Sequence, residues 1–239
     1  LWLYRETLAK AGAVEGLFNL FDRYLKAQGY LAMGGQIIDA TIVPAPRQRN
    51  SRDDNATVKS GKTPAEWEKK PAKNRQKDKD ARWTKKHGRS HFGYKNHISI
   101  DRRHKLVRRY AVSTASVHDS QKLGDVLDAN NTASGVWADS AYRSKEIEEK
   151  LAERNLKSHI HRRGGRNKPL TPRQEAANKA RSKVRARVEH VFGNQHNSMG
   201  GKLVRTIGIV RATVKIGMQN LAYNMRRLVV LERSVFAVG

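Results

Sequence analysis

An aspartate stands inside the apolar run Gly35-Gln36-Ile37-Ile38-Asp39-Ala40-Thr41-Ile42-Val43, which otherwise reads as a buried β-strand. Strands are poor in aspartate, and an ionised carboxylate in a low-dielectric interior is costly unless it is paired or holds a metal. A fold containing this strand must therefore bring a cation to it. A second acid of the same kind, Asp139, follows in Gly135-Val136-Trp137-Ala138-Asp139-Ser140-Ala141-Tyr142. The chain around them holds 48 Lys and Arg against 22 Asp and Glu, a formal net charge of +26. Two placed acids in so basic a chain point to metal-dependent chemistry on nucleic acid, with phosphate backbone as the partner. Charge alone leaves a merely soluble cationic surface or a ribosomal-type scaffold open.

With 239 residues, 38% of them hydrophobic, the chain can bury one sizeable core. It contains no cysteine, which removes disulfides, thiolate zinc sites and a cysteine nucleophile, so a metal must be held by oxygen or nitrogen. No window approaches the ~18 apolar residues of a membrane span, and no signal-peptide pattern opens the chain. A cytoplasmic protein is expected. The sequence starts at Leu1 inside a helical pattern and reads as truncated there.

Residues 1 to about 30 carry Leu8, Leu17, Leu20, Phe21, Tyr24 and Leu25 at helical spacing, with Gly12 and Gly29 as punctuation, and read as two short helices. After the first acidic strand, Pro44 to Arg89 is broken by Pro44, Pro46, Pro64 and Pro71 and dominated by charge. It reads as a long basic insertion, without regular structure, lying against DNA. Trp67 and Trp83 within it either stack on bases or anchor the segment; anchoring is the better reading, because a large exposed indole is uncommon.

Two β-rich runs, Phe92 to Ile100 and Lys105 to Val112, flank a hairpin turn at Asp101-Arg102-Arg103-His104. A helix is expected from about Asp119 to Ala129, with Asp119 as its cap and His118 on a loop. The second acidic strand spans Gly135 to Ala138; Ser144 caps a helix through Leu151, and Lys157 to His161 forms a short strand. Lys95 and His97 alternate on one strand face and either meet DNA phosphate or are simply solvated.

Thr171, Pro172 and Gln174 mark the start of a helix that runs to about Phe192, with Pro at its first position and a capping box. One face of it presents Ser182, Arg185 and Glu189, and a continuation past Gly193 reaches His196. By itself the Arg185 and Glu189 pair is an ordinary surface ion pair. A last helix, about Thr206 to Arg233, shows Ile207, Val210, Val214, Met218, Leu221, Met225 and Leu228 in a stripe assigned to the core or to a partner helix. Three carboxylates converging from separate elements, Asp39, Asp139 and Glu189, can hold two divalent cations, and hard oxygen ligands favour Mg²⁺ or Mn²⁺.

Five stretches together resemble bacterial DDE transposases of the insertion-sequence-five group within the IS-four-like class. They are Ile38-Asp39-Ala40-Thr41, Gly93-Tyr94-Lys95-Asn96-His97-Ile98, Val117-His118-Asp119-Ser120, Ala138-Asp139-Ser140-Ala141-Tyr142 and Arg185-Ala186-Arg187-Val188-Glu189-His190-Val191-Phe192-Gly193. The resemblance covers nearly the whole chain. It implies an α/β, RNase H-like (retroviral integrase-type) fold, a mixed sheet flanked by helices, with a basic insertion at 44–90. It divides the chain into an N-terminal helical segment at 1–33, a remnant of an upstream DNA-binding region, and a catalytic domain at 34–233. It implies Asp39, Asp139 and Glu189 as catalytic and metal-holding residues with two Mg²⁺ or Mn²⁺ ions. Arg185 matches the family arginine. Ser182 and His196 stand where the wider class has Tyr and Lys in its Tyr-x2-Arg-x3-Glu-x6-Lys pattern, and with Lys95 and Arg143 they are expected to contact DNA.

The implied activity is hydrolysis of a strand at an insertion-sequence end, followed by attack of the freed 3′-hydroxyl on target DNA. The partners are double-stranded DNA (terminal inverted repeats and target) and a second copy of the chain in a homodimer. The site of action is the bacterial cytoplasm at the nucleoid, with no membrane. The rival readings are a recombinase using Tyr142 as nucleophile, beside Arg143, and a non-catalytic or decayed basic DNA-binding protein.

Overall fold

In the computed structural model, which describes residues 2–236, the acidic run forms β1 (Gln36–Pro44) near the middle of a six-stranded mixed sheet. On one side β1 pairs antiparallel with the long strand β3 (Arg89–Asp101), and on the other parallel with β5 (Gly135–Trp137). β6 (Lys157–Ser158) adds parallel to β5. The far edge of β3 carries β2 (Arg82–Lys86) and β4 (Val107–Thr114), both antiparallel to it. The result is a mixed α/β open sheet flanked by helices, consistent with the strand arrangement that the resemblance implies.

The hairpin between β3 and β4 turns where the sequence places it. Asp101 is fully buried there and organises the turn: its carboxylate accepts from the backbone N–H of His104 (2.6 Å) and Leu106 (3.2 Å) and from Arg108 Nε (3.1 Å). Arg108 also reaches Asp22 (3.1 Å) and the carbonyl of Tyr30 (2.7 Å). A buried charge is tolerated because every member of this network is paired.

Strand periodicity sorts the two cores. Ile37 joins Ile98, Ile100, Trp137, Val188, Val191 and Phe18 on one sheet face, and Ile38 joins Val136, Ala138, Tyr142, Leu151 and Ile160 on the other. The first face is covered by α2 (Ala13–Ala27), α8 (Pro172–Asn197) and α9 (Ile209–Phe236); the second by α6 (Leu123–Val126) and α7 (Lys145–Glu153). α1 (Trp2–Lys10) packs on α9. Thr171 and Gln174 form the expected capping box of α8, Ser144 caps α7, and α8 continues unbroken through Gly193 to Asn197.

Several local readings change. The basic insertion is folded: α3 (Arg52–Lys59), α4 (Ala65–Glu68), α5 (Pro71–Arg75) and β2 lie within it. Trp67 is its fully buried anchor, whereas Trp83 is 43% exposed, beside Phe92 and under the Arg47 guanidinium. The helix after residue 119 is shorter than expected, a 3-10 turn at Asp119–Lys122 followed by α6. His118 rather than Asp119 holds the cap position. In the N-terminal helices Val14, Phe18 and Leu25 are buried, while Leu17, Leu20 and Tyr24 are exposed.

The α9 stripe is also rotated from the sequence reading. Its buried face is Ala212, Ile216, Asn220, Tyr223, Asn224 and Leu228, and Val210, Met218 and Met225 are exposed. The reason is polar. Asn224 donates to the Val107 carbonyl (2.7 Å) and accepts from the Val107 N–H (2.8 Å), and Asn220 exchanges hydrogen bonds with Asn96 (3.0 and 3.1 Å). Two asparagines thus face the sheet and carry the helix's apolar neighbours with them, which a hydrophobicity pattern does not register.

Candidate active site

Because side chains alternate along a strand, Asp39 shares the face of Ile37, and Asp139 the face of Trp137. Both acids therefore point to the side covered by α8. The parallel register pairs Gln36 with Val136 and Ile37 with Trp137; Asp39 and Asp139 each follow that last pair by two residues, Asp39 still within β1 and Asp139 just past β5, at the cap of a 3-10 turn at Ser140–Tyr142. Close approach at the other end of this pair requires Gly35. It sits at φ +91°, and a Cβ there would meet the Trp137 ring and lie 2.7 Å from the Gly135 carbonyl oxygen.

The two carboxylates are held alike. Oδ1 of Asp39 accepts from the N–H of Ala40 (2.8 Å), and Oδ1 of Asp139 from the N–H of Ser140 (2.5 Å). Oδ2 of Asp39 accepts from Arg185 Nη2 at 2.8 Å, in an ion pair with 13% and 16% of the two side chains exposed. Burial pushes the Asp39 carboxyl above its ordinary range, against the opposing pull of Arg185 and of the Ala40 N–H. The Arg185 Nε is buried without a partner.

Glu189 lies one turn along α8 from Arg185, and its side chain is exposed. Among the described residues no three His, Cys, Asp or Glu side chains stand close enough to share a metal ion. Asp39 and Asp139 fit a hard divalent cation as oxygen donors, but Glu189 is not gathered with them in this arrangement.

The other sequence-predicted contacts divide. Arg143 donates to the Ile160 carbonyl (3.1 Å) and pairs with Glu148 (3.4 Å), just after the Asp139 turn. Ser182 is exposed, 3.5 Å from His161 Nε2. His196 is exposed at the far end of α8, against Asn197 (3.1 Å). Lys95 lies on the opposite sheet face, where Nζ donates to the Val117 carbonyl (2.7 Å) and to Asp119 (2.8 Å). His97, on that same face, is fully buried and bonded to Ser113 rather than solvated.

Two residues near the acids escaped the sequence reading. His161 continues β6 alongside Asp139, its N–H donating to the Ala138 carbonyl (3.1 Å). Burial and then Arg185 press its pKa down, and Asp139 opposes them. Arg181 donates to the Ile160 carbonyl (3.1 Å). It sits one turn before Arg185, so the spacing on the helix was the available signal; for His161 only the sheet order supplies one. Tyr142 is buried in the opposite core with no hydrogen-bond partner for its hydroxyl, and burial drives its pKa upward. A buried, strongly protonated phenol does not serve as a nucleophile on DNA.

Fold and site thus define a mixed-sheet α/β protein with one aspartate within a central strand, a second just past the parallel strand beside it, and an arginine supplied by a helix. Residues 31–225 match the transposase DDE domain, and the chain belongs to that family. It is 28% identical over 228 residues to the transposase for insertion sequence element IS1106 of Neisseria meningitidis serogroup B, covering 93% of this chain and 75% of the relative. No solved structure matches. The family carries out DNA transposition and depends on divalent metal in general. Among the described residues no helix is long and apolar enough to cross a membrane.

Proposed function

We propose that this chain catalyses metal-dependent strand cleavage and strand transfer at insertion-sequence ends, on an RNase H-like core of the insertion-sequence-five type, with Asp39, Asp139 and Glu189 as its carboxylates. The observation that carries the reading is Arg185 reaching Asp39 from α8, beside the parallel pairing of Ile37 with Trp137, which Asp39 and Asp139 each follow by two residues. Asp39 and Asp139 would hold Mg²⁺ or Mn²⁺; the resemblance implies two ions and assigns Glu189 the third carboxylate. When bound, the metal supplies polarisation of the phosphodiester and activation of the attacking oxygen. The backbone bonds to Ala40 and Ser140 orient the two acids, and Arg185 offsets their charge.

Arg185, Ser182 and Arg143 are assigned to DNA backbone beside the acids, and His196 and Lys95, which lie away from them, to flanking backbone. The folded basic insertion at 44–90 would follow the duplex. In this reading residues 1–33 belong to an upstream DNA-binding region, 34–233 form the catalytic domain, and a homodimer brings two inverted repeats and target DNA together at the nucleoid.

The test is nicking of labelled supercoiled DNA in Mg²⁺ or Mn²⁺ by the unaltered chain, Asp139→Ala and Glu189→Ala, at matched DNA affinity. Nicking by the unaltered chain that disappears in both variants is expected. One observation favours a second reading, a basic DNA-binding protein without catalysis: the described residues contain no group of three carboxylates able to share an ion. DNA binding without nicking in any of the three proteins would select it.

A further inference from the structure

The carbonyl of Ile160 accepts from two guanidinium groups at once, Arg143 Nη1 and Arg181 Nη1, each at 3.1 Å. The two Nη1 atoms are therefore no more than twice that distance apart, and a third arginine, Arg162, follows Ile160 by two residues. One acid answers them, Glu148, which lies 3.4 Å from Arg143 and also accepts from Ser158 (2.9 Å). Like charges gathered this closely repel, and the excess positive charge is uncompensated within the fold.

The platform beneath them is fixed. Asn178 of α8 donates to the Arg162 carbonyl (2.8 Å) and accepts from the Arg162 N–H (3.0 Å), tying the chain after β6 to the helix. Arg181 and Ser182 lie three and four residues after Asn178 and four and three before Arg185, so one face of α8 leads from the arginine pair to Asp39. The strand side is equally close: the Ala138 carbonyl, next to Asp139, bonds the N–H of His161. Two half-buried guanidiniums that share one carbonyl suit an anion with two oxygens to offer, such as the non-bridging oxygens of a phosphodiester.

We propose that Arg143 and Arg181 hold one backbone phosphate of the DNA strand between them, next to the Asp139 side of the site. This rests on the proposed reading that DNA is the substrate. Arg143 and Arg181 keep the Ile160 carbonyl as a pivot, and Glu148 competes with the phosphate for Arg143.

The experiment is fluorescence anisotropy of a labelled duplex without divalent metal, over a range of salt. It compares the unaltered chain with Arg143→Gln, Arg181→Gln, the double variant, Arg181→Lys, Glu148→Gln and Arg233→Gln, an exposed charge near the end of α9. Arg143→Gln and Arg181→Gln should each weaken binding about 5- to 10-fold and flatten the salt dependence by up to about 0.9 in slope. The double variant should be little weaker than either single one, Arg181→Lys should recover the slope, and Glu148→Gln should tighten binding. Melting curves confirm that each variant is folded. Singles no weaker than Arg233→Gln, fully additive singles, or a Glu148→Gln variant that does not tighten would each overturn the shared phosphate. If the unaltered chain binds no DNA, the proposed function fails along with it; if it binds and the arginines do not matter, the shared phosphate alone fails.

Discussion

Lowering the pH should unfold this protein partly through His97. The side chain is fully buried on β3, and its Nε2 lies 2.8 Å from Ser113 Oγ, whose hydroxyl donates onward to the Thr114 carbonyl (3.1 Å). That chain of bonds assigns the proton to Nε2 and leaves Nδ1 as a bare acceptor, buried without a partner. Protonation would place an N–H and a charge where nothing accepts them. Burial accordingly presses the pKa from 6.5 down to about 4, against the opposing pull of Asp119. The folded state binds fewer protons than the unfolded chain between these values. Stability from His97 is therefore complete above 6.5, is lost as pH falls toward 4, and changes no further below. At 1.36 kcal/mol per unit the whole effect is about 3 kcal/mol. His97→Gln should lose about 1 kcal/mol at neutral pH through its weaker bond to Ser113, yet overtake the unaltered chain near pH 4. Urea unfolding of both proteins from about pH 7.5 to pH 4 measures the difference. Two parallel stability curves would refute the reasoning, because they would place the acid sensitivity elsewhere.

Tyr142→Phe removes a buried hydroxyl that has no partner, so nicking should persist and stability should stay level or rise by about 1 kcal/mol; loss of nicking in a folded variant would restore the tyrosine nucleophile. Asn224→Leu strips the buried Val107 N–H and carbonyl of their partners. It should cost about 2–4 kcal/mol, a fall of roughly 5–12 °C in Tm, and an unchanged melting curve would show that those bonds do not hold α9 to the sheet.

The legible parts of the sequence were those in which local chemistry and global fold agree. Thr171, Pro172 and Gln174 announce a helix start because capping satisfies N–H groups within a few residues of chain. The turn at Asp101-Arg102-Arg103-His104 was readable for the same reason, although the role of Asp101 in binding Arg108 was not. The basic insertion misled because proline and charge suggest an irregular chain, whereas the buried indole of Trp67 and three short helices, the first with a capping box, fold it. The α9 stripe misled because asparagines seated against a strand edge look polar in sequence.

At the site, the sequence by itself determined that Asp39 interrupts a buried strand and that Asp139 follows directly on another, since a carboxylate in or against an apolar run is anomalous wherever the strand ends up. It also determined that Ser182, Arg185 and Glu189 share a helix face, because 3.6 residues per turn is a local property. Only the tertiary structure decided that the two strands lie adjacent and in register, that Arg185 meets Asp39, that Glu189 stays exposed, and that Lys95 faces the other way. Those outcomes depend on which strand pairs with which and on the sheet face each alternation selects. They are set by packing among residues far apart in the chain, and no spacing along it encodes them.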